Sequence, residues 1–282
     1  MDLILAVNKP KNMTSFDVVS QIRKKYRVKV GHMGTLDPQA TGLLVILVGK
    51  MTKYLQFLQA EPKQYHAQIQ LGLRSDSGDI WGKVLEKSDL IILEKSQIQA
   101  VLASFIGKQK QRVPMVSAKK VAGKKLYQYH RQAIEVETQY HDIEIYQLEF
   151  INYDAESGQI EFMAMVSTGT YIRTLCEDIA EKLGTIGTMS SLKRTLVGPY
   201  RIEQAGSLED VLENDQAYRL DAKEALSHFE TYEIEDALPV YQGKPLLIDS
   251  LEDRILVMYN NEPLAVYKRL EANKFITERG LW

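Results

Sequence analysis

Gly31-His32-Met33-Gly34-Thr35-Leu36-Asp37-Pro38-Gln39-Ala40-Thr41-Gly42 runs directly into the apolar stretch Leu43-Leu44-Val45-Ile46-Leu47-Val48, which Gly49 closes. Three glycines, a histidine, an aspartate and a proline crowd the loop, so its backbone is demanding. The apolar stretch predicts a strand buried on both faces. A constrained loop at the edge of such a strand is a place where catalytic groups sit. Asp37 precedes Pro38, which biases it toward extended backbone, although Asp-Pro is also a common turn pair. The glycine spacing is not that of a phosphate loop, Leu43 stands where that motif needs Lys, and GxGxxG is absent. No nucleotide fingerprint is present.

Upstream, Thr14 with Asp17 three residues on predicts a helix N-terminus of the capping-box kind, with Phe16, Val19, Ile22 and Tyr26 at helical spacing. Downstream, Thr52 to Leu58 reads as a short helix, and Tyr65 to Leu71 alternates as a half-buried strand. Residues 143–150 and 160–167 repeat the alternation, with Asp154 to Gly158 as the hairpin turn between them. Residues 170–183 carry Ile172, Leu175, Ile179 and Leu183 on one stripe, and Gly184 is placed to end that helix. The short β-like runs 246–248, 255–259 and 264–267, with Asn260-Asn261 as a turn, predict a small β-rich C-terminal domain.

Composition bounds the class. With 282 residues, 45% hydrophobic and 26% charged, the chain fits a soluble globular protein. Its apolar runs are far short of the roughly 20 residues that span a bilayer, and Met1-Asp2 with five apolar residues is no signal peptide. The reading is cytoplasmic, with no membrane partner. Cys176 is the only cysteine and reads as a small core residue, and the five histidines show no ligand spacing, so no metal is expected. A Gly-x-Ser-x-Gly elbow is also missing. Net charge is −2, but it is unevenly spread: residues 107–131 hold Lys108, Lys110, Arg112, Lys119, Lys120, Lys124, Lys125 and Arg131 with no acid, whereas 203–236 is strongly acidic. Such a distribution fits a polyanion on one face. Arg173, in the first turn of its helix, sits where the macrodipole disfavours a cation by up to about 1 kcal/mol, which fits either a surface arginine that tolerates the small penalty or one paired with a nearby anion.

These segments together resemble the bacterial tRNA pseudouridine synthase B family. The resemblance rests on Asn8-Lys9-Pro10 with Met13-Thr14-Ser15, on the 31–42 loop, on Lys63-Gln64-Tyr65, and on Gly72-Leu73-Arg74-Ser75-Asp76. It continues through Pro114-x-x-Ser117-Ala118-x-Lys120, Gly123-Lys124-Lys125-Leu126-Tyr127, Gly169-Thr170-Tyr171-Ile172-Arg173-Thr174 and Leu192-x-Arg194-Thr195, in family order over about residues 1–200. It implies an α+β pseudouridine-synthase fold around a mixed, largely antiparallel sheet, with a small β-rich C-terminal domain. Residues 1–230 would be the catalytic domain, 107–131 its RNA-gripping segment, and 231–282 an RNA-binding domain similar to PUA domains. The implied activity is isomerisation of the T-loop uridine, position 55 of tRNA, to pseudouridine, without cofactor or metal. Asp37 resembles the catalytic aspartate, acting on the sugar–base bond by attack or by proton removal, and Arg173 resembles the arginine that pairs with it. Tyr65 resembles the tyrosine that stacks on the base and handles the C5 proton, and Leu192 resembles the apolar wall of the pocket. His32 resembles the residue that fills the gap left by the flipped nucleotide. Tyr171 and Lys9, inside the shared motifs, are expected to bind substrate, and Lys119 and Lys124 to follow the T-arm phosphates. The partner is tRNA and the default state a monomer. The alternatives are a noncatalytic tRNA-binding chaperone, or a glycosylase that would release free uracil.

Overall fold

The computed structural model describes every residue except Met1, Gln59, Ala60, Ala118, Ala122, Ala133 and Glu135; the side chains of Lys120, Lys125, Tyr127, His130 and Arg131 are likewise outside the description. Ala118 of the shared motif, and the side chains of Lys120 and Lys125 in the basic segment, therefore lie outside the described residues. Contacts divide the chain into two compact units, one of residues 1–38, 43–60 and 198–282 and one of residues 39–42 and 61–197.

In the first unit the buried strand expected after the glycine loop forms over Thr41–Val48, its residues from Leu43 onward belonging here, and every one of them is buried. Gly49 ends it at φ 66°. Its neighbours are Leu3–Lys9 and the short Val30–His32, the latter antiparallel with His32 opposite Ile46. The helix Ser15–Tyr26 begins at Thr14, whose hydroxyl accepts the Asp17 amide while the Asp17 carboxylate accepts the Thr14 amide, completing the capping box. Val18, Val19 and Ile22 pack on Leu5, Val7, Leu44 and Ile46. Phe16 departs from the expected stripe: it follows Ser15 by about 100° around the helix, and it is 64% exposed whereas Ser15 is buried. The short helix expected from Thr52 to Leu58 is a 3-10 turn, Gly49–Lys53, followed by turns. The C-terminal part of this unit is a five-stranded sheet in the order Glu230–Glu233, Arg254–Tyr259, Glu262–Glu271, Lys274–Gly280, Leu246–Leu247. Its core gathers Val240, Ile255, Val257, Ala265, Tyr267 and Phe275. Asn260 and Asn261 form the expected hairpin turn at φ 51° and 60°, the left-handed region that asparagine tolerates.

In the second unit Lys63–Leu71 lies at the centre, between Gly187–Val197 and Gln159–Val166, and the sheet continues through Tyr140–Asp154 to Gly107–Arg112 at its edge. All these pairings are antiparallel, and Thr41 and Gly42 add a parallel pairing to Lys193 and Arg194. The sheet is thus mixed and largely antiparallel, as expected. Strict alternation along Lys63–Leu71 buries every second residue, Lys63 included. The helix Ile172–Lys182 is two residues shorter at its start than its apolar stripe suggested, and Gly184 follows it at φ 83°. Ala180 of this helix comes so close to Gly187 that a Cβ there would stand 2.6 Å from the alanine methyl.

Candidate active site

In the first unit the Asp37 loop is fixed from both sides. Ser15, the first residue of the helix, is buried, and its hydroxyl donates to the Leu36 carbonyl at 3.1 Å while accepting the Leu36 amide at 2.9 Å. On the other side of Asp37, the Lys9 ammonium donates to the Pro38 carbonyl at 3.2 Å and to the carbonyls of Met13 and Pro10 at 2.7 and 2.8 Å. Lys9 is fully buried. A buried ammonium needs such partners, and here they tie strand, capping loop and catalytic-loop candidate together. Asp37 itself is half-buried in irregular backbone, and His32 is half-buried at the end of its short strand.

The second unit collects the other candidates. Tyr65 lies on the buried face of the central strand, opposite Arg194 on one neighbour and Ala164 on the other. Leu192 pairs with Ala67, which sets it diagonally across from Tyr65 on the same face. The small residues Ala67 and Ala164 leave the ring flanked by little bulk. Arg173 is 5% exposed, and its guanidinium donates to the carbonyls of Ser77 at 2.8 Å and Val116 at 2.9 Å. Tyr171 is half-buried at the N-cap of the same helix. Lys119 precedes, and Lys124 belongs to, a two-stranded pairing in which Val121 lies opposite Lys124; the Lys124 side chain is exposed and that of Lys119 half-buried. On the edge strand, Lys108, Lys110 and Arg112 all point to the exposed face.

Two buried cations received no role from the sequence. Lys63, two residues before Tyr65 and on its face, donates to the Thr168 hydroxyl at 3.1 Å. Burial first, and then the Arg194 guanidinium, pull its ammonium down to about 8, against the opposing pull of Glu61. Arg194 is 1% exposed. A Cβ on Gly42 would fall 2.2 Å from the Arg194 carbonyl oxygen, so the glycine at φ 101° admits the arginine-bearing strand. The signal was available: alternation around Tyr65 and Leu192 sends Lys63 and Arg194 to an apolar face, where a cation is out of place.

Residues 21–172 match the family described as TruB family pseudouridylate synthase (N terminal domain). The chain belongs to this family. Residues 173–231 match a second TruB model, that of the tRNA pseudouridylate synthase B C-terminal domain. The chain is similar to the tRNA pseudouridine synthase B of Clostridium tetani, 43% identical over 84% of this chain and 82% of the relative. It is also similar to that of Caldicellulosiruptor saccharolyticus, 38% identical over 98% of this chain and 96% of the relative. Among solved structures, a chain of a Cbf5–Nop10–Gar1 complex superposes with a TM-score of 0.74 at 23% identity, covering 99% of this chain and 85% of that one. A chain from an H/ACA RNP bound to a substrate RNA gives 0.75 at 22% identity, with the same coverage. These structural likenesses establish the α+β fold that the TruB motifs implied.

Proposed function

We propose that the protein isomerises uridine to pseudouridine in tRNA, at the T-loop position 55, with Asp37 as the catalytic residue. The relatives named for this activity support the reaction class. The observation that carries the assignment of Asp37 is the double anchoring of its loop, by Ser15 at Leu36 and by Lys9 at Pro38. Isomerisation breaks the bond between N1 of the base and C1′ of the ribose, rotates the uracil and rejoins it through C5, whose proton is lost. A carboxylate held against C1′ starts this either by attacking that carbon or by taking a ribose proton, and fixed geometry is what makes either route fast. Arg173 takes the part of the family arginine that acts with the catalytic aspartate. Tyr65 stacks on the uracil and carries the C5 proton, Leu192 walls the pocket, Tyr171 contacts the substrate, and His32 occupies the space the base vacates. Lys9 serves this site by holding the loop from beneath it, since its ammonium is enclosed by three carbonyls. Lys119 and Lys124 track T-arm phosphates.

The functional division proposed is 1–230 for catalysis and 231–282 for further RNA contact. The protein acts as a cytoplasmic monomer, and among the described residues no helix is long and apolar enough to cross a membrane. The test is tritium release from tRNA transcripts labelled at C5 of uridine, with the modified position mapped. Release by wild type, none by Asp37→Asn, and mapping to the T-loop uridine are expected. Tight tRNA binding by a folded wild type that releases no tritium would instead leave a chaperone, and free uracil would mean a glycosylase.

A further inference from the structure

The turn that leads into the Arg173 helix is gripped by a cross-strand pair from outside every shared motif. Gln111, on the edge strand Gly107–Arg112, is 3% exposed, and its register partner on Tyr140–Asp154 is His141. The Gln111 side-chain nitrogen donates to the Tyr171 carbonyl at 3.0 Å, and its side-chain oxygen accepts the Tyr171 amide at 2.8 Å. One carboxamide thus engages both backbone polar groups of a single residue. Tyr171 is the N-cap of its helix and has no capping bond from its own side chain, so the helix start takes its restraint from Gln111. His141 adds a second hold: its Nε2 lies 3.0 Å from the Gly169 carbonyl oxygen, and its ring meets the Tyr171 ring edge-on at 5.6 Å.

We propose that Gln111 is a positioning residue for the isomerisation: its carboxamide fixes the Tyr171 backbone and thereby where Arg173, two residues on, presents its guanidinium. The proposal rests on the roles of Tyr171 and Arg173 given above. Neither a hydroxyl nor an aliphatic side chain supplies donor and acceptor at this reach, and a displacement near 1 Å at a reacting group costs on the order of a hundredfold in rate.

The test uses Gln111→Leu, which removes both bonds at similar volume, and Gln111→Glu, which keeps the acceptor for the Tyr171 amide but sets an oxygen against its carbonyl. Single-turnover tritium release, tRNA affinity by filter binding and exchange of the Tyr171 amide are measured on the full chain. Gln111→Leu is expected to slow isomerisation by roughly 30- to 100-fold while tRNA affinity stays within about threefold, with faster Tyr171 exchange and Gln111→Glu falling between it and wild type. A folded Gln111→Leu enzyme at wild-type rate overturns the proposal, and so does a loss that falls equally on affinity. If Gln111→Leu does not fold, Gln111→Glu decides by the same criteria. An inactive wild type, or an Arg173→Ala variant as active as wild type, would instead sink the underlying site assignment.

Discussion

The loop that carries Asp37 owes its geometry to residues elsewhere in the chain, and Ser15 is the sharpest case. Ser15→Ala removes the donor and the acceptor that hold Leu36 and leaves two buried backbone groups without their partner. The expected cost is about 1–3 kcal/mol in denaturant unfolding, together with slower single-turnover isomerisation at unchanged tRNA affinity; an unaltered rate would remove Ser15 from the account. Titration gives a second residue-scale expectation. Burial first, against the opposing pull of Arg112 and with help from Glu177 and Glu181, pushes the Asp178 carboxyl up to about 6. A carboxyl with a raised folded pKa binds its proton more tightly folded than unfolded, so its contribution to stability falls as pH rises from about 4 through 6. Asp178→Asn is therefore expected to be more stable than wild type at pH 7.5, by about 1–2 kcal/mol after allowance for its partial exposure. The advantage should vanish near pH 4. Urea unfolding at the two pH values checks this, and a gap that persists at pH 4 would contradict it.

Among the elements, the strand Thr41–Val48 and the hairpin around Gly123 carry opposite duties. The first is fixed by close approach: Gly42, at positive φ, lies directly under the Arg194 backbone. Gly42→Ala combines a strained φ with a backbone clash and is expected to cost more than about 3 kcal/mol, read as a lowered unfolding midpoint; a neutral outcome would mean the strand yields easily. The basic hairpin instead presents charge. Lys119→Ala with Lys124→Ala should weaken tRNA binding and reduce the slope of log affinity against log salt by up to about two phosphate contacts, with little change in melting temperature because Lys124 is exposed and Lys119 half-buried. An unchanged slope in filter binding would place this hairpin away from the RNA.

For the molecule as a whole, the C-terminal sheet is bound into the first unit and does not hang from it. The Tyr54 hydroxyl donates to the Pro263 carbonyl at 3.2 Å, and Lys53 bonds the Trp282 carbonyl. A chain ending at residue 230 is expected to melt at a lower temperature than the full chain, by calorimetry, because Tyr54 and its neighbours lose that cover; equal melting would show the sheet to be an independent appendage. What the sequence by itself determined were features carried by neighbours along the chain: the capping box at Thr14, the alternation around Tyr65, the buried strand after Gly42, and the motif positions of Asp37 and Arg173. The first three depend on local periodicity, capping or backbone preference, which a linear reading captures, and the last on the motifs that resemble a known family. Only the tertiary structure decided that Lys9 is walled in by three carbonyls, that Phe16 is exposed, that Lys63 and Arg194 share the face of Tyr65, and that Gln111 holds Tyr171 from 60 residues away in the chain. Those facts are set by which strands pair and in which register, and a cation or an amide in the sequence does not say which carbonyl across the sheet will satisfy it.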